Sequence, residues 1–440
     1  MGHLPHVIRW LPLGFATILL TFSWSMAQAD EDALFNHAKQ ITPAQLVDAV
    51  LIRNPGLSGM RSAVEAARAK IDPAGALTDP LLAYGLAPET IGGFRTPGGR
   101  HRGLSQRIEL SQTIPWPGTL ELRGKKAAAE SESEAWKLSD FRLQLAERTR
   151  AAYAQWYYVH RALAVNAENR VLLVRLRGVA ETAYGAGQAP QQDVLQAEVE
   201  LTRLQNQALE IERRRATVQA GINGLLNRNP QAPLPIPKAL PPAGNLPDYA
   251  NLQQMALARY PVLKRLDAEI NAGQDRVELA HKGFYPDFKL SAGYNNLWDA
   301  PEKQFTVGAT INIPIGAKHQ GELEAANARL QQHRDERLDA RASLLSSLDQ
   351  SYRTARQVRD SIALYADRLL PLARLNMKAA EADYSGGSGD FLKLITAEQQ
   401  YLIAKLELSR SRADFFIQFA ALDYRTGGAL TTNQTQETNP

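Results

Sequence analysis

The sequence predicts a mainly α-helical chain with a small transmembrane β part, built as two tandem copies of one unit. Three observations predict it. A tip motif occurs twice in register: Tyr184-Gly185-Ala186-Gly187 leading to Ala197-Glu198, and Tyr384-Ser385-Gly386-Gly387 leading to Ala397-Glu398. Each copy is flanked by helical patterns far longer than those of ordinary globular domains. Four short stretches, two per copy, read as strands, and in most of them apolar and polar residues alternate, as in strands with two different faces.

Bulk properties narrow the class. Of the 440 residues, 22% are charged and 44% hydrophobic, which fits neither a disordered chain nor a polytopic helical membrane protein. The pI is about 9.1, with a formal net charge of +4. Lys and Arg are interleaved with Glu and Asp along the helices, so they read as solvated faces, and no nucleic-acid partner is expected. With no cysteine there are no disulfides, no thiolate metal sites and no lipid-modified cysteine. Residues 1–29 read as a secretory signal: Arg9, the short apolar run Leu11–Phe22, and Ala27-Gln28-Ala29 before Asp30.

The first repeat covers residues 30–228. Residues 30–40 read as loose. Thr42-Pro43 opens a helix that ends near Asn54-Pro55, with proline at its first helical position. A second helix covers about Leu57–Ile71. Strands follow at about 81–86 and 107–114, separated by a loop rich in Gly, Pro and Arg. In the second strand Ile108, Leu110 and Ile114 share one face, and Glu109, Ser111 and Thr113 the other. From about Leu120 to Tyr184 there is no proline and little glycine; at ~1.5 Å per residue this helix is roughly 95 Å long. A tip near 185–190 reverses the chain into the helix Pro190–Leu226, whose apolar residues suit a packed coil face. Gly185 and Gly187 supply the backbone freedom that the turn requires.

A Pro-rich connector, 229–247, precedes the second repeat at 248–427. Asn54-Pro55 is matched by Tyr260-Pro261, and the proline ahead of each first strand follows at the same spacing. Strands are expected at about 287–297 and 305–313, the latter with Phe305, Val307, Ala309, Ile311 and Ile313 on one face. The long helix, about 319–384, is interrupted by Pro371 where the first repeat has Val171. Pro371 removes a backbone donor and should kink the helix, either as the hinge by which the second hairpin moves or as a static bend. The second tip, near 385–390, uses Gly386 and Gly387. Residues 428–440 read as a disordered tail.

Strands of about nine residues with dyad alternation suit either a soluble half-buried sheet or a lipid-facing β-wall; four of them in pairs, in an exported chain of very long helices, favour the wall. Tyr84, Tyr294 and Trp298 are candidates for an interfacial girdle, with ordinary strand packing as the alternative. Four strands cannot close a barrel, and an open edge in lipid leaves backbone groups unpaired. Two chains would pool eight strands, whose interior fills with side chains; three would pool twelve, enough for a water-filled lumen. A homotrimer with a pore is the simplest closed solution. The charged helices then project into the periplasm as a coiled-coil barrel.

The duplicated order, the Ile-Pro exits at 114–115 and 313–314, and the two tip motifs resemble the TolC family of outer-membrane efflux proteins. Thr78-Asp79-Pro80-Leu81 and Gln106–Gly118 are most similar to its heavy-metal-resistance branch. The resemblance implies a trimeric duct: a twelve-stranded β-barrel in outer-membrane lipid, continued by a periplasmic helical tunnel. Its partners would be a periplasmic adaptor (membrane fusion protein) and an inner-membrane resistance–nodulation–division pump. The tips would contact the adaptor and hold a gate. Tyr384 matches the family's gate tyrosine, with Tyr184 its counterpart in the first repeat. Where the best-studied pattern has acids, this chain has Lys393 and Thr396, and its acids lie at Asp193 and Asp390. Tripled by symmetry, these two would form acidic constrictions; a helix-start role is the alternative, with Lys393 pairing to Asp390.

No catalytic constellation and no cofactor motif is present. No metal site is expected, because the histidines show neither HExxH nor close acidic pairing. Alternative readings are a type I protein-secretion duct, a periplasmic coiled-coil adaptor and a soluble structural coiled coil.

Overall fold

The computed structural model describes residue 35 and residues 39–87, 105–295 and 304–431. The signal segment 1–29, most of the loop ahead of residue 105, Trp298 and residues 432–440 lie outside the described residues. In chain order the elements are β1 (Gln40–Ile41), α1 (Pro43–Arg53), α2 (Pro55–Ala69), α3 (Ile71–Gly75), β2 (Leu81–Ala87), β3 (Ser105–Ile114), α4 (Thr119–Gly185) and α5 (Gln191–Leu225). The second copy follows as β4 (Ile236–Pro237), α6 (Tyr249–Arg259), α7 (Pro261–Lys282), β5 (Phe288–Asn295), β6 (Phe305–Ile311) and α8 (Ala317–Leu364). A π-helical turn (Tyr365–Leu369), α9 (Leu370–Ser385) and α10 (Phe391–Arg425) complete it.

The repeats are not the spatial units. One compact unit gathers residues within 1–54, 145–246 and 351–422; the other gathers 55–144, 247–350 and 423–440. Each therefore draws on both repeats.

The second of these units contains the four-stranded antiparallel sheet, ordered β2-β3-β5-β6. The central pairing, β3 with β5, joins the two repeats, from Arg107 opposite Asn295 to Ile114 opposite Phe288. The alternation seen in the sequence adds up across the strands. Leu82, Leu110, Ala292 and Val307 form one cross-strand row; Tyr84, Ile108, Tyr294 and Phe305 form the next. Ile114, Phe288 and Ile311 make another on the same face. Most of these apolar side chains are exposed within the chain, Val307 at 91% and Phe305 at 77%. The opposite face carries Glu109, Ser111, Ser291, Gly293, Thr306 and Gly308. At the base of the sheet Trp116 stacks on Tyr285 at 4.9 Å, and its backbone N–H donates to Asp287 Oδ1 at 3.0 Å.

In the first unit, α1 begins with a capping box: Gln45 N–H donates to Thr42 Oγ1, and Thr42 N–H to Gln45 Oε1. The stretch 30–40, expected to be loose, is tied down at its described residues. Phe35 is buried under the guanidinium groups of Arg53 and Arg228, and β1 pairs in parallel with β4 of the connector. Tyr153, wholly buried, locks that pairing: its hydroxyl stands 2.8 Å from both Ile41 O and Lys238 O, which share its one proton. Likewise, the start of the expected disordered tail is ordered in the second unit. Asp423 accepts from the backbone N–H of Leu430 and Thr431, and Ala429 and Leu430 are buried.

Pro371 acts on the turn before it. A regular α-helix would need an N–H at 371 and room for the carbonyl of Asp367, and proline offers neither. The helix instead widens into one π turn, with Leu370 N–H reaching back to Tyr365 O.

Candidate functional site

The two hairpin tips lie together in the first unit. At each, a Tyr-x-x-Gly segment ends the incoming helix. Gly187 (φ 71°) and Gly387 (φ 73°) take the left-handed conformation that glycine adopts without steric cost. Their N–H groups return to Tyr184 O and Tyr384 O, and the next residues, Gln188 and Ser388, bond to Ala183 O and Asp383 O. These bonds satisfy carbonyls that the helix end would otherwise orphan. Gly185 and Gly386 belong to the same turns but need no unusual backbone.

Beneath the tips one apolar cluster binds the hairpins to each other. It is formed by Leu173, Leu176 and Ala180 of α4, Ala197 and Leu204 of α5, Tyr384 of α9, and Phe391, Leu394 and Ile395 of α10. At ~25 cal/mol per Å² of apolar surface, a seam of this composition is stabilised mainly by burial. Ion pairs decorate it: Arg175 to Glu381 at 2.6 Å, and Lys405 to Glu168.

The sequence-predicted site residues separate into two sets. Tyr384 and Asp193 come together: the phenol, 9% exposed, donates to Asp193 Oδ2 at 3.0 Å across the hairpins, with its ring 5.0 Å from that of Phe391. Burial and the adjacent Asp193 carboxylate hold the phenol above its ordinary titration range. It therefore remains the donor throughout the physiological pH range. Asp390 does something else. Its Oδ1 accepts from Leu392 N–H at 2.9 Å at the start of α10, which is a helix cap. Tyr184 and Lys393 are exposed, and Lys393 adds no ion pair to that cap. Asp193, Tyr384, Asp390 and Arg175 line a cleft of about 600 Å³ at the tips.

Sequence reasoning missed Glu398 as a site residue. It is 1% exposed, and its Oε1 has no hydrogen-bond partner among the described residues. Burial pushes its carboxyl up to about 7; Asn169 opposes the shift and the buried Glu200 adds to it. A signal was present. In the first repeat Glu198 pairs with Arg177 at 2.8 Å, but the residue equivalent to Arg177 in the second repeat is Met377, so Glu398 lacks its cation.

Residues 252–428 match the family described as outer membrane efflux protein. That match covers most of the second repeat. The cobalt-zinc-cadmium resistance protein CzcC of Cupriavidus metallidurans is 26% identical over 155 residues, 35% of this chain and 37% of that relative's length. The fold is shared more widely than that alignment. The chain superposes on CusC, described in terms of transmembrane channel formation, with a TM-score of 0.77 (17% identity, 90% of this chain and 93% of the other). It superposes on the outer membrane protein VceC of Vibrio cholerae at 0.75 (18%, 88% and 96%). For the outer-membrane channel OprN the score is 0.74 (20%, 88% and 90%). The fold of these outer-membrane channel structures thus extends over both repeats, beyond the segment 252–428.

Proposed function

We propose that this chain is the outer-membrane channel of a tripartite efflux system, a passive trimeric duct whose cargo is delivered by an inner-membrane pump of the resistance–nodulation–division class through a periplasmic adaptor. The single observation that carries the reading is the sheet. It presents an apolar face in register over four strands, a polar face opposite and, among the described residues, an unpaired edge on each of β2 and β6. Such a sheet is costly in water and unfinished in lipid. Three copies joined edge to edge give twelve strands, an apolar outer wall and a polar lumen. A periplasmic adaptor or a soluble coiled coil has no use for that face. The CzcC relationship favours metal cations as cargo.

The hairpin tips are the gate in this reading. The Tyr384–Asp193 hydrogen bond latches the second hairpin to the first, and Asp390 serves the helix start. Purified protein in planar bilayers tests both levels. Trimers extracted only by detergent, with a low-conductance closed state, are expected. Tyr384→Phe and Asp193→Asn should raise the open fraction, whereas Asp390→Asn, which retains a capping side chain, should not. A monomer that needs no detergent would overturn the duct; unaltered gating in both latch variants would overturn the latch alone.

A further inference from the structure

The second unit brings together three groups that the sequence reading left apart. His333 and Glu336 lie one turn apart on α8. Glu269 of α7 reaches the same point, and one ligand atom from each residue lies within 4.8 Å of the other two. This corrects the expectation that no histidine has close acidic partners. His333 Nδ1 is 3.1 Å from Glu336 Oε2 and 3.9 Å from Glu269 Oε2. Around a tetrahedral zinc-type ion with bonds of ~2.0–2.1 Å, neighbouring ligand atoms stand about 3.4 Å apart. The two distances bracket that spacing.

The surroundings hold the ligands in place. Glu269 Oε1, the oxygen turned away from His333, accepts from Ser133 Oγ at 3.0 Å and from Arg265 Nη1 at 2.7 Å. Glu336 Oε1 accepts from Gln332 Nε2 at 2.8 Å. Each carboxylate thus has one oxygen anchored and the other aimed at the imidazole, the arrangement by which outer hydrogen bonds orient metal ligands. The close approach of the two helices has a visible cause. A side chain at Gly273, one turn beyond Glu269, would stand 3.2 Å from Leu330, one turn before His333. The Asp267–Arg337 ion pair fastens the helices on the other side.

We propose that Glu269, His333 and Glu336 form a binding site for one divalent transition cation of the zinc type, clamping α7 to α8. One nitrogen and two carboxylate oxygens favour zinc, cobalt or nickel over magnesium and calcium, which prefer all-oxygen shells. Water would complete the shell, since Glu336 is exposed. The site stands on the helix pair alone and does not depend on what the duct carries.

The test uses untagged full-length protein in detergent, stripped with a chelator and titrated with Zn²⁺ by calorimetry and with Co²⁺ by visible absorption. Expected are one tight site per chain, a Co²⁺ ligand-field band, and no displacement by millimolar Mg²⁺. His333→Gln and Glu336→Gln, each checked for native helix content, should weaken binding at least about tenfold and alter the band. His281→Gln should change neither. The proposal is overturned if binding does not saturate, if Mg²⁺ displaces the ion, if both ligand variants bind like the parent, or if His281→Gln loses the band.

Discussion

Replacing Glu398 by Gln should make the protein more stable above neutral pH and leave it nearly unchanged at pH 5. The carboxyl is buried, and its value rises from the ordinary 4.5 to about 7. Below about 4.5 both the folded and the unfolded chain hold the proton, and the group is neutral to stability. Between 4.5 and 7 the unfolded chain releases it while the folded chain keeps it. The folded state then binds more protons, so stability falls as pH rises. Above about 7 both are ionised and the penalty is complete. At ~1.4 kcal/mol per pH unit that penalty is roughly 3 kcal/mol, the cost of an ionised carboxylate beside Glu200 in an apolar seam.

Gln has the same shape and no titration, so Glu398→Gln should gain most of that amount at pH 8 and little at pH 5. The assay is helix melting by circular dichroism, with denaturant titration, on both proteins in detergent at pH 5, 6.5 and 8. Other carboxylates contribute equally to each protein and cancel in the difference. A difference that stays constant across the three pH values, or a variant less stable at pH 8, would refute the reasoning.

Two further substitutions probe the sheet and the interrupted helix. Val307→Arg places a charge on the apolar face, where a barrel at mid-bilayer loses about 2–4 kcal/mol per chain. Outer-membrane assembly, measured as the detergent-resistant trimer in that fraction, should fall sharply, while Thr306→Arg on the polar face should assemble; equal yields would place the lipid elsewhere. Pro371→Ala restores the N–H missing at that position and should convert the π turn into α-helix. Slower hydrogen exchange over 365–371 and fewer openings in bilayers are expected, and unchanged gating would remove the hinge role.

What the sequence made legible was local. The long helices showed because nothing in them breaks the pattern, and the strands showed because one face of each is apolar. The interruption at Pro371 was visible because proline's chemistry acts within one turn. What stayed hidden was the joining of distant segments. Pairing of β3 with β5 links Ile108 to Tyr294, and no local pattern specifies that register. The same holds for the Tyr384–Asp193 bond and for the meeting of Glu269 with His333. Asp390 kept two readings open for a related reason: a carboxylate at a helix start satisfies its own backbone first, and its spacing alone cannot distinguish a cap from a lumen charge.

The duplication explains why the tips are unequal. Two identical hairpins would present identical residues at every contact, and a Tyr–Asp latch would exist twice or not at all. Divergence at two positions breaks that equivalence. The residue equivalent to Asp193 is Lys393, so Tyr384 finds an acceptor on the first hairpin while Tyr184 stays exposed. The residue equivalent to Arg177 is Met377, so Glu198 keeps its cation at the surface while Glu398 is buried without one. Both changes place their effect on the second hairpin, the one that Pro371 also interrupts. On the proposed reading, an uncompensated carboxyl and a π turn loosen that hairpin, and the Tyr384–Asp193 bond is what restrains it. In a ring of such hairpins, movement would begin there, and double substitution at Tyr384 and Glu398 should separate the two contributions. Tyr384→Phe should favour the open state at every pH, whereas Glu398→Gln should remove only the part that grows between pH 5 and 8. If Glu398→Gln shifted gating equally at both ends of that range, the carboxyl would have no part in it.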